Sequence, residues 1–320
     1  VKLDDIIRGL RDSKGFAHKR DIASVLPRLP AGLTQVGDDC AALPDGDGYL
    51  LFAIEGFVSE LVTRDPWFAG YCGVMVNLSD IYAMGGRPLA VVDALWSASH
   101  ERAKLLIEGL LAASAAYGVP VVGGHTNIQS SSDQLAVAVL GRASCLLDSF
   151  LAQPGEQLLA VADHRGRYRE PDAYWDASTS APGARLRADL ELLPQLAEAG
   201  LCRAGKDVSM GGLLGSTLML LECSRLGAEI DLAAIEPPPG VGLERWLSTF
   251  PSYGFVLSVP DCHVDPVRRR FAERALVCTS IGRTDGTRRV VLRHGDARGE
   301  LHNFVTDSFI GASPRGDASP

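Results

Sequence analysis

Blocks of apolar and polar positions alternate along the chain and predict helices and strands in mixed order. Residues 3–30 read as helical around a basic middle, residues 13–20. Residues 49–57 (YLLFAIEGF) read as a strand ending in Glu55-Gly56. Residues 68–84 (FAGYCGVMVNLSDIYAM) predict a helix stopped by Gly85-Gly86 and Arg87-Pro88. Residues 89–96 (LAVVDALW) predict a buried strand, and 101–117 a strongly apolar helix closed by Gly118. Residues 119–122 predict a short buried strand leading into the loop Gly123-Gly124-His125-Thr126-Asn127, and 134–142 a returning strand.

Pro154-Gly155 punctuates a boundary near 150–155. Beyond it the pattern predicts a strand at 157–162, a polar, loop-like stretch at 164–183, and helices at about 184–199 and 211–226. Strands follow at 254–259, 276–282 and 289–293, with a helix at 266–275. Residues 311–320 (GASPRGDASP) are expected to be a disordered tail. The class is α/β or α+β with two domains, divided as 1–150, 151–310 and the tail.

A length of 320 residues suits two domains, and 46% hydrophobic with 22% charged residues is a globular composition. The net charge of -8 argues against nucleic-acid and anionic-membrane surfaces. Seven cysteines include no CxxC pair, which argues against a disulfide framework or a structural zinc site. VKLDDIIRGL has no signal-peptide core, and no apolar run reaches a membrane-spanning length, so the expected location is the cytoplasm.

Four polar clusters interrupt apolar elements at their ends. In TQVGDDCAAL, Asp38 and Asp39 are adjacent like charges, either a solvated turn or a pair separated by a cation. Asn77 and Asp80, spaced i, i+3, share one face of the 68–84 helix, either on a thin exposed stripe or with partners. Gly123 and Gly124 let backbone approach a ligand, and His125 is either a structural histidine or a general base. In GKDVSMGGLLGS, residues 205–216, Ser209 is either a helix cap or part of a phosphate-holding turn with Gly211 and Gly212. Carboxylates with glycine-rich turns suggest Mg²⁺ coupled to phosphate.

These motifs together resemble the aminoimidazole ribonucleotide (AIR) synthetase superfamily, which includes thiamine-monophosphate kinase and selenophosphate synthetase. The matching stretches are GDDCAAL (37–43), VNLSDIYAMGGRP (76–88), VPVVGGHTN (119–127) and GKDVSMGGL (205–213). The resemblance implies an N-terminal α/β domain whose sheet pairs with its twin into a barrel across a homodimer. It implies a C-terminal α+β domain, with ATP and Mg²⁺ in the cleft between the two. By position, Asp38, Asp39, Asp80 and Asp207 would hold metal-bound phosphates, with Glu55 matching a further acid. Asn77 would shape that site, and Gly123, Gly124, Gly211 and Gly212 would allow close backbone approach. Lys14 or Lys19 would close over the phosphates. The implied activity is ATP-dependent phosphoryl transfer to an oxygen of a small substrate.

The chain departs from that pattern in two places. His125 stands where the family usually has an acid, and Met210 replaces the second acid of the fourth motif. Mg²⁺ binds neither group well. Residues 11–20 contain no cysteine, unlike selenophosphate synthetase, and the chain ends in DASP rather than the cysteine of the hydrogenase-maturation branch. The resemblance is nearest the AIR synthetase-related branch of unassigned substrate. Two rival expectations are a thiamine-monophosphate kinase and a nucleotide-binding scaffold without turnover.

Overall fold

The computed structural model describes residues 2–29 and 34–312. They form two compact units, each discontinuous in sequence. The first comprises residues 39–145 and 179–195; the second comprises residues up to 38, 146–178 and 196 onward. This division by contacts differs from the contiguous one at 150/151 in the placement of the N-terminal residues and of 179–195. The N-terminal residues Leu3, Ile6, Ile7, Leu10 and Phe16 are buried in the core of the second unit. The Gly183–Leu190 helix packs in the first unit, where Arg187 donates to the Ala116 carbonyl at 2.6 Å. Of the expected tail, 313–320 lie outside the described residues, while Ala312 packs on the second core.

The first unit contains a five-stranded sheet in the order β1-β2-β5-β3-β4. Its strands are β1 (Ala41–Asp45), β2 (Gly48–Phe57), β3 (Arg87–Trp96), β4 (Val121–Asn127) and β5 (Gln134–Ala143). All neighbours are antiparallel except β3 and β4. Period-two alternation gives the sheet two faces. Leu51, Ala53, Val91, Leu95, Val137 and Val139 are buried, whereas Phe52, Ile54, Val92 and Leu140 are exposed. The helices Pro66–Ala83 and His100–Tyr117 belong to this unit. Asp65 caps the first of them by accepting from Phe68 N–H at 3.2 Å, and Pro66 presets its first turn. Ser99 caps the second, and Gly118 ends it in the left-handed region at φ 70°.

Glycine sets how closely these two helices meet. A Cβ on Gly70 would run into the Leu106 carbonyl, and one on Gly109 into the Trp67 carbonyl. A Cβ on Gly73 would lie 2.8 Å from Val137 of β5. The Pro66–Ala83 helix is thus wedged between a helix and the sheet, which explains why its apolar residues run all round it. The expected loop at 123–127 is instead the exposed edge strand β4, held in register by β3.

The second unit is built on a seven-stranded mixed sheet in the order β15-β14-β10-β13-β6-β12-β9. In chain order the strands of this unit are β6 (Gln157–Ala162), β7 (Arg167–Tyr168), β8 (Tyr174–Asp176), β9 (Ala204–Asp207), β10 (Gly227–Asp231), β11 (Phe250–Pro251), β12 (Gly254–Val259), β13 (Val277–Asp285), β14 (Arg289–His294) and β15 (Ala297–Asn303). The loop-like stretch 164–183 holds β7 and β8, which join β11 in a small sheet. Strands β9, β10 and β15 escaped the sequence pattern. Residues 3–29 form two helices, Leu3–Arg11 and Lys14–Arg20, followed by 3₁₀ turns rather than one long helix. Ser13 divides them by capping the second, accepting from Phe16 N–H at 3.2 Å.

Candidate functional site

The two adjacent acids point to different places. Gly37 at φ 123° lets the chain turn before Asp38. The Asp38 carboxylate is buried in the second unit, where Ser149 N–H donates to it at 2.7 Å and the Ser149 hydroxyl lies at 2.6 Å. Lys206 Nζ lies 3.8 Å from the same carboxylate. Asp39 belongs to the first unit, and one of its carboxylate oxygens lies within 4.8 Å of one on Asp80. The like-charge crowding read from the sequence is therefore divided. Asp38 meets donors and an ammonium, and Asp39 meets a second acid.

Asp80 lies on no solvent stripe. It is 5% exposed, and Asn77 is fully buried one turn earlier. Asn77 Nδ2 donates to the Gly73 carbonyl at 2.8 Å, while its Oδ1 has no hydrogen-bond partner among the described residues. A buried amide oxygen without a donor is costly unless a ligand, ion or water satisfies it. Two acid side chains and an unsatisfied amide oxygen fit a hard, oxygen-seeking cation such as Mg²⁺.

In the second unit, Asp207 ends β9 and is 3% exposed. The turn after it leads to the Gly212–Cys223 helix. Ser209 is not the side-chain cap of that helix. The N-cap is Gly211, and Ser209 Oγ is buried with no hydrogen-bond partner among the described residues. The glycines there answer to packing. Gly212 has φ 65°, and a Cβ on it would meet the Leu247 carbonyl. A Cβ on Gly211 would lie 3.4 Å from Lys19 Cγ, and one on Gly15 would strike the Met210 carbonyl. The basic N-terminal helix is thus seated on the glycine turn with the stem of Lys19 against it. Lys14 is exposed at the start of the same helix.

Other expected residues stand elsewhere. His125 is on edge strand β4 with its ring 5.6 Å from that of Trp96. Glu55 is half-buried in β2, opposite Val137. Asp38, Glu55 and His125 join no group of three or more potential metal-ligating side chains among the described residues. Gly123 has open space around it, but a Cβ on Gly124 would collide with the Asp93 carboxylate. Sequence reasoning passed over Asp93, whose pKa is raised by burial, and also Ser149 and Lys206. An acid in the apolar run LAVVDALW and a lysine on a strand were the available signals.

Two family descriptions match the chain: AIR synthase related protein, N-terminal domain, over residues 37–143, and its C-terminal domain over residues 157–295. Uncharacterized protein sll0787 of Synechocystis sp. is 49% identical over 300 residues, covering 92% of this chain and 93% of the relative. T. maritima PurL complexed with ATP superposes with a TM-score of 0.77 at 19% identity, over 98% of this chain and 53% of that one. The chain thus spans about half the length of that protein. AaThiL complexed with AMPPCP and TMP superposes with a TM-score of 0.64 at 19% identity, over 94% and 98% of the two chains. At these identities the structural likeness establishes the two-domain fold.

Proposed function

The chain belongs to the AIR synthase related protein family, and on that premise we propose that it is an enzyme binding ATP with Mg²⁺ and transferring phosphate to an oxygen of a small substrate. The observation that carries this reading is the approach of Asp39 and Asp80 to within 4.8 Å, with Asn77, whose Oδ1 has no hydrogen-bond partner among the described residues, one turn before Asp80 on the same helix. The ATP and AMPPCP complexes of the two structural neighbours support it. Asp39 and Asp80 would hold the cation. Mg²⁺ would supply charge neutralisation at the phosphates. The N–H groups opening the Gly212–Cys223 helix would hold phosphate oxygens, and Lys19 would neutralise their charge from the helix seated there. These side chains catalyse by orientation and electrostatics rather than by forming bonds.

A homodimer is part of the same reading. Phe52 pairs with Leu140, and Ile54 with Ala138 beside Val92, so one face of the sheet carries a continuous apolar band. Phe52 is 51% and Ile54 64% exposed. A band of this kind marks an association surface. A second copy covering it would make the barrel that the family resemblance implies. Ile54→Glu is expected to leave monomers in sedimentation velocity; an unchanged dimer would remove this surface from the interface.

A second reading, a nucleotide-binding scaffold without turnover, is favoured by the placement of His125 against Trp96 and by Met210. Release of ADP separates the two. Steady release from Mg-ATP across a panel of small hydroxyl, carboxylate and amide substrates, abolished by Asp80→Asn, supports the enzyme. Nucleotide binding with no release supports the scaffold. Thiamine monophosphate belongs in that panel, and absence of product from it removes the thiamine-monophosphate kinase reading.

A further inference from the structure

Lys206 has no part in the site as proposed, yet its side chain is 1% exposed in the interior of the second unit. Its ammonium lies 3.8 Å from Asp38 Oδ1, on a side chain that is 2% exposed. Burying either charge is costly unless it is paired and hydrogen-bonded. Ser149 supplies the hydrogen bonding. Its N–H donates to Asp38 Oδ2 at 2.7 Å, and its hydroxyl lies 2.6 Å from Oδ1 and 2.9 Å from the Gly205 carbonyl. One hydroxyl proton serves one of those two acceptors at a time. Ser224 in turn donates to the Ser149 carbonyl at 2.6 Å. Residues 38, 149, 205, 206 and 224 therefore form one buried polar network within a single unit.

The position of this network in the chain gives it a role. Asp39 follows Asp38, and Asp207 follows Lys206. We propose that Lys206 is a positioning residue and that Asp38 is its buried counter-ion rather than a metal ligand. The pair pins the two backbone points from which Asp39 and Asp207 project. This inference rests on the reading that Asp39 holds Mg²⁺. A ligand set gains affinity when its supporting groups are locked by packing and hydrogen bonds. Two adjacent acids thus divide the work, the first anchoring and the second binding.

The test is a double-mutant cycle on the full chain with Asp38→Asn, Lys206→Met and both together. It is read twice: by the denaturation midpoint without metal or nucleotide, and by the Mg²⁺-dependent gain in ATP affinity. Each single change removes one member of a buried ion pair and is expected to lower the midpoint, and the double variant is expected to recover part of that loss. Lys206→Met is expected to reduce the Mg²⁺-dependent affinity about tenfold or more while leaving metal-free nucleotide binding unchanged. Should that variant fail to fold, Ser149→Ala serves as the milder one and is expected to lower the same affinity severalfold. Losses of midpoint that simply add would overturn the pair. Asp38→Asn with a wild-type midpoint and the same Mg²⁺ defect as Asp39→Asn would make Asp38 a ligand and overturn the proposal. An intact Mg²⁺ response in Asp39→Asn would remove the metal reading, and the positioning role with it, even if the midpoints couple.

Discussion

Two acid clusters, one in each unit, are handled in opposite ways. In the second unit, Asp38 meets Ser149 and Lys206, and the Glu222 carboxylate accepts N–H bonds from Phe309 and Ile310 at 3.0 and 2.7 Å. In the first unit, Asp39 and Asp80 approach each other, and Asn77, one turn before Asp80, has an amide oxygen without a hydrogen-bond partner among the described residues. The first arrangement is satisfied by the protein's own donors and serves folding. The second brings carboxylate oxygens together, an arrangement that suits a hard cation. Burial alone does not separate a structural acid from a binding one; the chemistry that faces it does.

The largest expected effect comes from the packing that holds Asp80, in the second arrangement, in place. Gly109→Ala would force the Pro66–Ala83 and His100–Tyr117 helices apart, because the Trp67 carbonyl occupies the new methyl's space. Such overpacking is expected to cost about 3 kcal/mol or more of stability, and to impair Mg²⁺-dependent binding by displacing Asp80. A wild-type melting curve would mean that the helices are not held at backbone contact.

Asp80→Asn tests the sign of the comparison. Removing one of two facing acids relieves repulsion, so the metal-free denaturation midpoint is expected to rise. The same change is expected to cost at least ~100-fold in Mg²⁺ affinity measured with nucleotide present. Asp38→Asn is expected to move the midpoint the other way. If both changes shift the midpoint in the same direction, the contrast between the units fails.

The smallest effect concerns pH. Burial raises the pKa of Glu222 from its usual 4.5 despite its backbone hydrogen bonds. The folded state then binds a proton more tightly than the unfolded state. The contribution of Glu222 to stability is therefore fully present below pH 4.5 and is lost as pH rises through the folded pKa. Glu222→Gln is expected to flatten that part of the stability profile in denaturant titrations at stepped pH. An unaltered profile would show that the latch on residues 309–310 carries no net proton linkage.

The sequence displayed local features well and distant ones poorly. The 68–84 helix and its stop at Gly85-Gly86 were legible because caps and glycines act within a few residues. The acids Asp39, Asp80 and Asp207 stood out because each interrupts an apolar run. The attachment of Leu3 and Ile7 to the second unit was not legible, since their partner Gly299 lies nearly the whole chain away. The packing role of the glycines was illegible for a related reason. Gly124 and Gly212 were taken as openings for a ligand, whereas Asp93 and Leu247 fill the space beside them. Lys206 was passed over because its counter-ion Asp38 is far off in sequence. The edge strand β4 was read as a loop because glycines and polar residues dominate it, while its register is imposed by β3.

The most direct measurement is calorimetric titration of the protein with a non-hydrolysable ATP analogue, with and without Mg²⁺, alongside Asp39→Asn. The account predicts tight binding only with Mg²⁺ in the wild type, and loss of that metal-dependent gain in the variant. Equal binding with and without Mg²⁺, or a variant that keeps the full gain, would contradict the assignment of Asp39 and Asp80 as a cation site.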